Sequence, residues 1–162
     1  NLTYVERVAK QLGVKVEYVH AGLNVLVKEK GLPTNRDRWC TKVKIGALRA
    51  KILELGNGDD FATVVGDRDA ESPLRSRRPP YRSEEKYMQI APLKFWGMIH
   101  AQTYLTYYSI PHNPLYLKGF YRIGCVMCPA MRNWEYMVVK RDPELKMQVE
   151  KWLGQLDQLY DH

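Results

Sequence analysis

One short run constrains the fold of this chain more than any other feature: Phe61-Ala62-Thr63-Val64-Val65, apolar and β-branched, closed by Asp59-Asp60 before it and Gly66 after it. A run this short with turn residues on both sides reads as a strand covered on both faces. What precedes it is helical. Val43, Ala47, Ala50 and Leu55 recur at helical spacing up to Gly56. Earlier, Val5, Val8, Ala9 and Leu12 do the same up to Gly13, which can take the left-handed closing conformation. Between these helices Val14, Val16 and Tyr18 alternate with Lys15 and Glu17, the period of a half-buried strand, and Ala21 to Arg38 lapses into Gly, Pro, Asn and Arg. Helix, strand, helix, strand predicts an α/β sheet.

Beyond Gly66 the chain is polar and proline-rich to about Pro92, too long for an ordinary connection, which marks a functional or mobile loop. A helical carboxyl-terminal region is expected from about residue 94. Its first helix, 94–109, is aromatic-rich and ended by Pro111, while Pro129 and Pro143 suit the first turns of two more. The last carries Leu145, Val149, Trp152, Leu153, Leu156 and Leu159 or Tyr160 as an apolar stripe. With 45% hydrophobic and 27% charged residues in 162, the chain has the core of one domain, residues 1–162. No apolar run approaches the roughly 20 residues that cross a bilayer, and Asn1-Leu2-Thr3-Tyr4 does not open a secretory signal.

Three cysteines, an odd number, argue against a disulfide framework and for a reducing compartment, with the cytoplasm as the default. Cys125-Val126-Met127-Cys128-Pro129 brings two thiolates close enough to share a metal or cluster, and Cys40 can join them; small core residues or a redox pair are the plainer alternatives. The excess of 25 Lys+Arg over 18 Asp+Glu favours anionic partners, from nucleotides to nucleic acid. Directly after the predicted strand, Gly66-Asp67-Arg68-Asp69-Ala70-Glu71-Ser72-Pro73-Leu74-Arg75 lies where ligands bind in open α/β sheets. Arg68, Ser72 and Arg75 are placed there to hold phosphate or sulfate oxygens, unless the stretch is merely a solvated loop. Trp96, Tyr104, Tyr107 and Tyr108 at helical spacing are expected to fill core rather than stack on bases. His20, His100, His112 and His162 show no metal spacing and read as hydrogen-bonding partners.

Three stretches then fall in one order: Arg38-Trp39-Cys40-Thr41-Lys42-Val43-Lys44; Gly66-x-Arg68-x-x-Glu71-Ser72-x-x-Arg75; and Ile110-Pro111-His112-Asn113-Pro114-Leu115-Tyr116 leading to Gly119-Phe120-x-Arg122-Ile123-Gly124-Cys125-x-x-Cys128-Pro129. In this the chain resembles the phosphoadenosine phosphosulfate (PAPS) reductase family over about residues 3–140. The resemblance implies a partial Rossmann-like sheet of the adenine nucleotide α-hydrolase type and a helical carboxyl-terminal region, with Trp96 heading the family's Trp-containing helix and Glu71 where many members have Gln. It also implies an adenine nucleotide ligand (PAPS, adenylyl sulfate or ATP), met by Lys44, Gly66, Arg68, Glu71, Ser72 and Arg75, and a thiol or ferredoxin as electron donor.

Members with a 4Fe-4S cluster carry a tandem Cys-Cys followed by a Lys, and a later C-x-x-C. Here Cys40 falls on the second tandem Cys and Lys44 on the Lys, while Trp39 occupies the first. The resemblance therefore implies a cluster on Cys40, Cys125 and Cys128, with zinc as the alternative metal. A three-thiolate cluster is similar to what some thiolation enzymes of related fold use, so a sulfurtransferase acting on tRNA or DNA is the competing expectation, and a non-enzymatic zinc and nucleic-acid-binding module a third. No Cys follows Cys128 to serve as the reductive nucleophile, and the family's Ser-Gly-Gly-x-Asp-Ser phosphate loop has no counterpart. The expectation is an amino-terminal half missing from this chain or supplied by a partner, and no sulfonucleotide reduction by these residues alone.

Overall fold

A computed structural model describes residues 2–125 and 128–160, with side chains as far as Gly154. Val126, Met127, Asp161 and His162, and the side chains of the distal apolar stripe from Leu156 onward, lie outside the described residues.

The element order is α1 (Leu2–Leu12), α2 (Leu23–Lys30), α3 (Trp39–Gly56), β1 (Ala62–Val64), a 3₁₀ turn at Asp69–Glu71, α4 (Pro73–Ser76), β2 (Tyr81–Ser83), β3 (Met88–Ile90), α5 (Met98–Tyr107), α6 (Pro114–Leu117), α7 (Asn133–Arg141) and α8 (Pro143–Tyr160). The chain is thus mixed α/β, with a small sheet and mostly helical content. It divides into two units, Asn1–Glu17 with Ala50–Asn113 and Tyr18–Arg49 with Pro114–His162, where the sequence reads as a single domain.

The first unit contains the three-stranded sheet, ordered β1-β3-β2. β1 pairs parallel to β3, Thr63 opposite Gln89, and β2 pairs antiparallel to β3, Arg82 opposite Gln89. Val65 N–H extends the parallel ladder to Ile90 O at 2.9 Å. α1 ends as expected at Gly13, whose φ of 65° is left-handed. At the end of α3, a Cβ on Gly56 would overlap the Phe61 ring, which itself stacks on buried Tyr87 with centroids 5.3 Å apart. Glycine is what lets the helix end and the strand start come this close.

Several expectations need correction. The Val14–Tyr18 segment forms no strand, because alternation alone supplies no neighbour to hydrogen-bond with, and Val14 and Tyr18 are exposed. β1 is an edge strand with Val64 72% exposed, since only β3 pairs with it; its apolar composition does not bury it here. The Ala21–Arg38 stretch contains a helix, α2, in which Leu23, Leu26 and Val27 form a short apolar face. The polar stretch after Gly66 is built from the 3₁₀ turn, α4 and the β2–β3 hairpin rather than from one long loop. Tyr104, Tyr107 and Tyr108 are exposed rather than core: spaced along one helix, they pack ring on ring, with Tyr104–Tyr108 centroids at 4.5 Å and Trp96–Tyr104 at 5.3 Å. α7 begins at Asn133, not Pro129, because Arg132 and Glu135 supply its cap.

In the second unit, two apolar clusters form the core. Val27 and Trp39 are buried with Leu23, Leu26, Val43, Trp152 and Leu153 around them, bringing together α2, α3 and α8. Phe120, Val139 and Leu145 are buried with Leu115, Met131, Val138 and Val149, tying α7 and α8 to the segment that leads to Cys125. No helix among the described residues is long and apolar enough to cross a membrane.

Candidate functional site

The three cysteines all belong to the second unit and line one cavity of about 380 Å³. Cys40 sits in the first turn of α3, placed there by the burial of its neighbour Trp39 among α2 and α8 side chains. Cys125 and Cys128 come from the segment before α7, where Cys128 N–H donates to Cys125 O at 3.1 Å and Met131 N–H to Cys128 O at 2.9 Å. Cys125 is exposed, and Cys40 and Cys128 are half-buried. One helical turn after Cys40, Lys44 donates from Nζ to Cys125 Sγ at 3.1 Å. Arg38 also lines the cavity, so two cationic side chains accompany the three sulfurs.

This donor set fits a thiolate-ligated iron–sulfur cluster in kind: soft sulfur ligands from two distant segments, cations to offset the negative charge that thiolates and sulfides bring, and a cavity among them. Among the described residues no three His, Cys, Asp or Glu side chains gather closely enough to hold a single ion. A cluster asks less convergence than one zinc ion, because each cysteine binds a different iron. Trp39, next to Cys40, is 8% exposed, and its indole Nε1 is buried without a hydrogen-bond partner among the described residues.

In the first unit, the residues after β1 form a knit of ion pairs. Arg68 is 7% exposed, its Nε donating to Glu71 Oε1 at 3.1 Å and its Nη1 to Gly97 O at 3.5 Å. Arg75 pairs with the other oxygen of Glu71 and with Asp67 at 3.4 Å, and Arg78 bonds Asp67 at 2.9 Å. Ser72 caps α4, its Oγ accepting from Arg75 N–H at 3.3 Å. Gly66 is exposed at the start of the stretch. The arginines of this stretch are therefore not free forks in a solvated loop. Glu71 occupies two of them, and the 36% exposed side chain of Arg75 is the more accessible.

Two residues of these regions escaped sequence reading. Lys94 is buried and pairs with Asp69, while also donating to Ser76 O at 3.2 Å, which fastens the Asp69 turn to the segment before α5. Glu135 is 2% exposed and accepts three backbone N–H bonds around the cysteine segment. Its place three residues into α7 marks it as a capping glutamate, but nothing local signals the remote contacts. Of the histidines, His100 Nδ1 accepts from Gly97 N–H at 2.9 Å, and His112 bonds both Gln102 and Thr106. His162 lies outside the described residues.

The order of these motifs matches the family model of the phosphoadenosine phosphosulfate reductase domain over residues 1–131. The chain belongs to the PAPS reductase family. An uncharacterized protein of Methanocaldococcus jannaschii is 37% identical over 158 residues, 93% of this chain and 32% of the relative. A second one from the same organism is 31% identical over 162 residues, 96% of this chain and 38% of the relative. The adenosine 5'-phosphosulfate reductase of Streptomyces coelicolor is 35% identical over 85 residues, 51% of this chain and 36% of that reductase. The chain thus matches between 32% and 38% of the length of these three relatives.

Proposed function

We propose that this chain is the cluster-bearing part of a PAPS-reductase-family protein of sulfur metabolism that handles an adenine nucleotide or sulfonucleotide in a reducing compartment. One observation carries the reading: Cys40 and the Cys125–Cys128 pair, far apart in sequence, line a single cavity with Lys44 bonded to one of the sulfurs. In this reading the three cysteines hold a 4Fe-4S cluster, which when bound supplies redox or sulfide-binding chemistry. Lys44 holds a positive charge against Cys125 Sγ. Arg75, the more exposed arginine after β1, meets a phosphate or sulfate oxygen, with Arg68 behind it held in place by Glu71. Ser72 sets the backbone of that stretch by capping α4, and exposed Gly66 opens it.

A second reading is favoured by Trp39. Because this buried indole stands where a fourth thiolate would be, a cluster here would have three protein ligands, which suits an ATP-dependent sulfurtransferase acting on tRNA or DNA. Anaerobic purification with absorption spectroscopy and iron and sulfide analysis tests the shared premise. Iron and sulfide in equal amounts, lost in Cys40→Ser, support it; zinc alone, or no metal after reconstitution, refutes it. Incubation with adenylyl sulfate or PAPS and a dithiol then separates the readings: sulfite release favours the reductase.

A further inference from the structure

The segment that carries Cys125 and Cys128 has two feet, Tyr121-Arg122 before the cysteines and Arg132 after them, and one carboxylate holds both. Glu135 Oε2 accepts from Arg132 N–H at 2.9 Å, which is the ordinary task of a glutamate three residues into a helix. Its Oε1 does something else, accepting from Tyr121 N–H at 3.1 Å and Arg122 N–H at 3.3 Å. A capping glutamate normally stays in solvent, where losing it costs little. This one is 2% exposed, so its desolvation has to be offset by bonds that charge makes strong.

Other contacts close the same segment. Arg122 Nη2 donates to Ala130 O at 2.7 Å, and the Arg132 guanidinium lies 4.1 Å from the Tyr121 ring centroid. Phe120 and Val139, buried together, fix the first foot to the helix that carries Glu135. Among these contacts the buried Glu135 carboxylate is the one that takes backbone N–H groups from both feet, and so bears on their separation and on the placing of the Cys125–Cys128 pair, with Lys44 bonded to Cys125.

We propose that Glu135 is the positioning residue of the Cys125–Cys128 pair: it acts through the backbone to hold the two sulfurs at the spacing that ligation requires. This rests on the reading of that pair as ligands. It adds that the pair is pre-organised by Glu135 before any metal arrives.

The test uses the full chain without metal and reads the thiols directly. Glu135→Gln keeps the volume but offers an amide N–H where an acceptor is needed. Leu26→Ala, in the other apolar cluster of this unit, serves as a control that loosens packing without touching the clip. Each protein is equilibrated in glutathione buffers, and the fraction of Cys125–Cys128 disulfide is read by mass spectrometry, with the alkylation rate of Cys40 as an internal reference. In Glu135→Gln the equilibrium constant for closing the pair is expected to fall about tenfold, the loss of one charge-assisted bond's worth of order. Leu26→Ala should leave it within about twofold, the scale of a purely structural change, and Cys40 should react alike in all three. An unchanged equilibrium in Glu135→Gln, or an equal fall in Leu26→Ala, overturns the proposal. Should Glu135→Gln not fold, hydrogen exchange on the unaltered chain decides: protected amides at Tyr121, Arg122 and Arg132 support the clip, and free exchange at these sites refutes it. Iron uptake is measured separately, so a chain that binds no iron would defeat the cluster reading while leaving this result standing.

Discussion

Replacing Glu71 by Gln tests what the arginine-rich stretch after β1 is for. The substitution keeps the shape of the side chain and removes the charge that Arg68 and Arg75 share. The two arginines respond differently. Arg75 has a 36% exposed side chain and retains Asp67 at 3.4 Å, so its loss is that of a surface pair, under about 1 kcal/mol. Arg68 is buried, and without Glu71 its remaining bond among the described residues is the one to Gly97 O at 3.5 Å. Leaving such a charge without its partner costs about 3 to 5 kcal/mol. The amide oxygen of Gln recovers part of this, so about 3 kcal/mol is expected, roughly 6 to 12 °C in thermal midpoint for a chain of this size. Urea unfolding at neutral pH should show a lower midpoint with an unchanged slope. If the stretch is also an anion site, sulfate should take the place of the lost carboxylate. At ten times its dissociation constant it would restore about 1.4 kcal/mol to the variant, with chloride at equal ionic strength as the control. A loss below about 1 kcal/mol would refute the view of Arg68 as a buried, Glu71-dependent charge. A full loss with no sulfate effect would refute the anion site while leaving the ion pair intact.

Three further outcomes are expected. Phe120→Ala, which empties the cluster with Val139 and Leu145, should cost about 3 to 5 kcal/mol in urea unfolding. Gly56→Ala should destabilise the chain and disturb the Phe61–Tyr87 stack, visible as a change in near-ultraviolet circular dichroism, because the new methyl overlaps the Phe61 ring. The Lys118 ammonium, and then the Leu145 N–H, hold the Asp142 carboxyl below its ordinary value. The stability it contributes is therefore present above the unfolded carboxylate range and lost as pH falls through the depressed folded value. The gap in thermal midpoint between the unaltered chain and Asp142→Asn should be widest near neutral pH and close as the solution is acidified.

Local pattern and residue chemistry carried much of this protein in its sequence. α1, α3 and α8 follow from apolar spacing and from Gly13, Gly56 and Pro143, because a helix satisfies its own backbone and needs only one face covered. Cys40, Cys125 and Cys128 stood out as a set, and the order of the motifs carried the family. A strand is different, since its hydrogen bonds belong to a neighbour. Val14–Tyr18 has the alternation and forms no strand, whereas Met88–Ile90, with no strong signal, becomes the central strand. The same holds for charge. Sequence spacing shows that Arg68 and Arg75 lie near Glu71 but not that one arginine is buried and the other half-exposed, and it gives no hint that Glu135 gathers amides from Tyr121, Arg122 and Arg132. Those assignments depend on which backbone segments meet and how far water is excluded between them, and only the tertiary structure decides that.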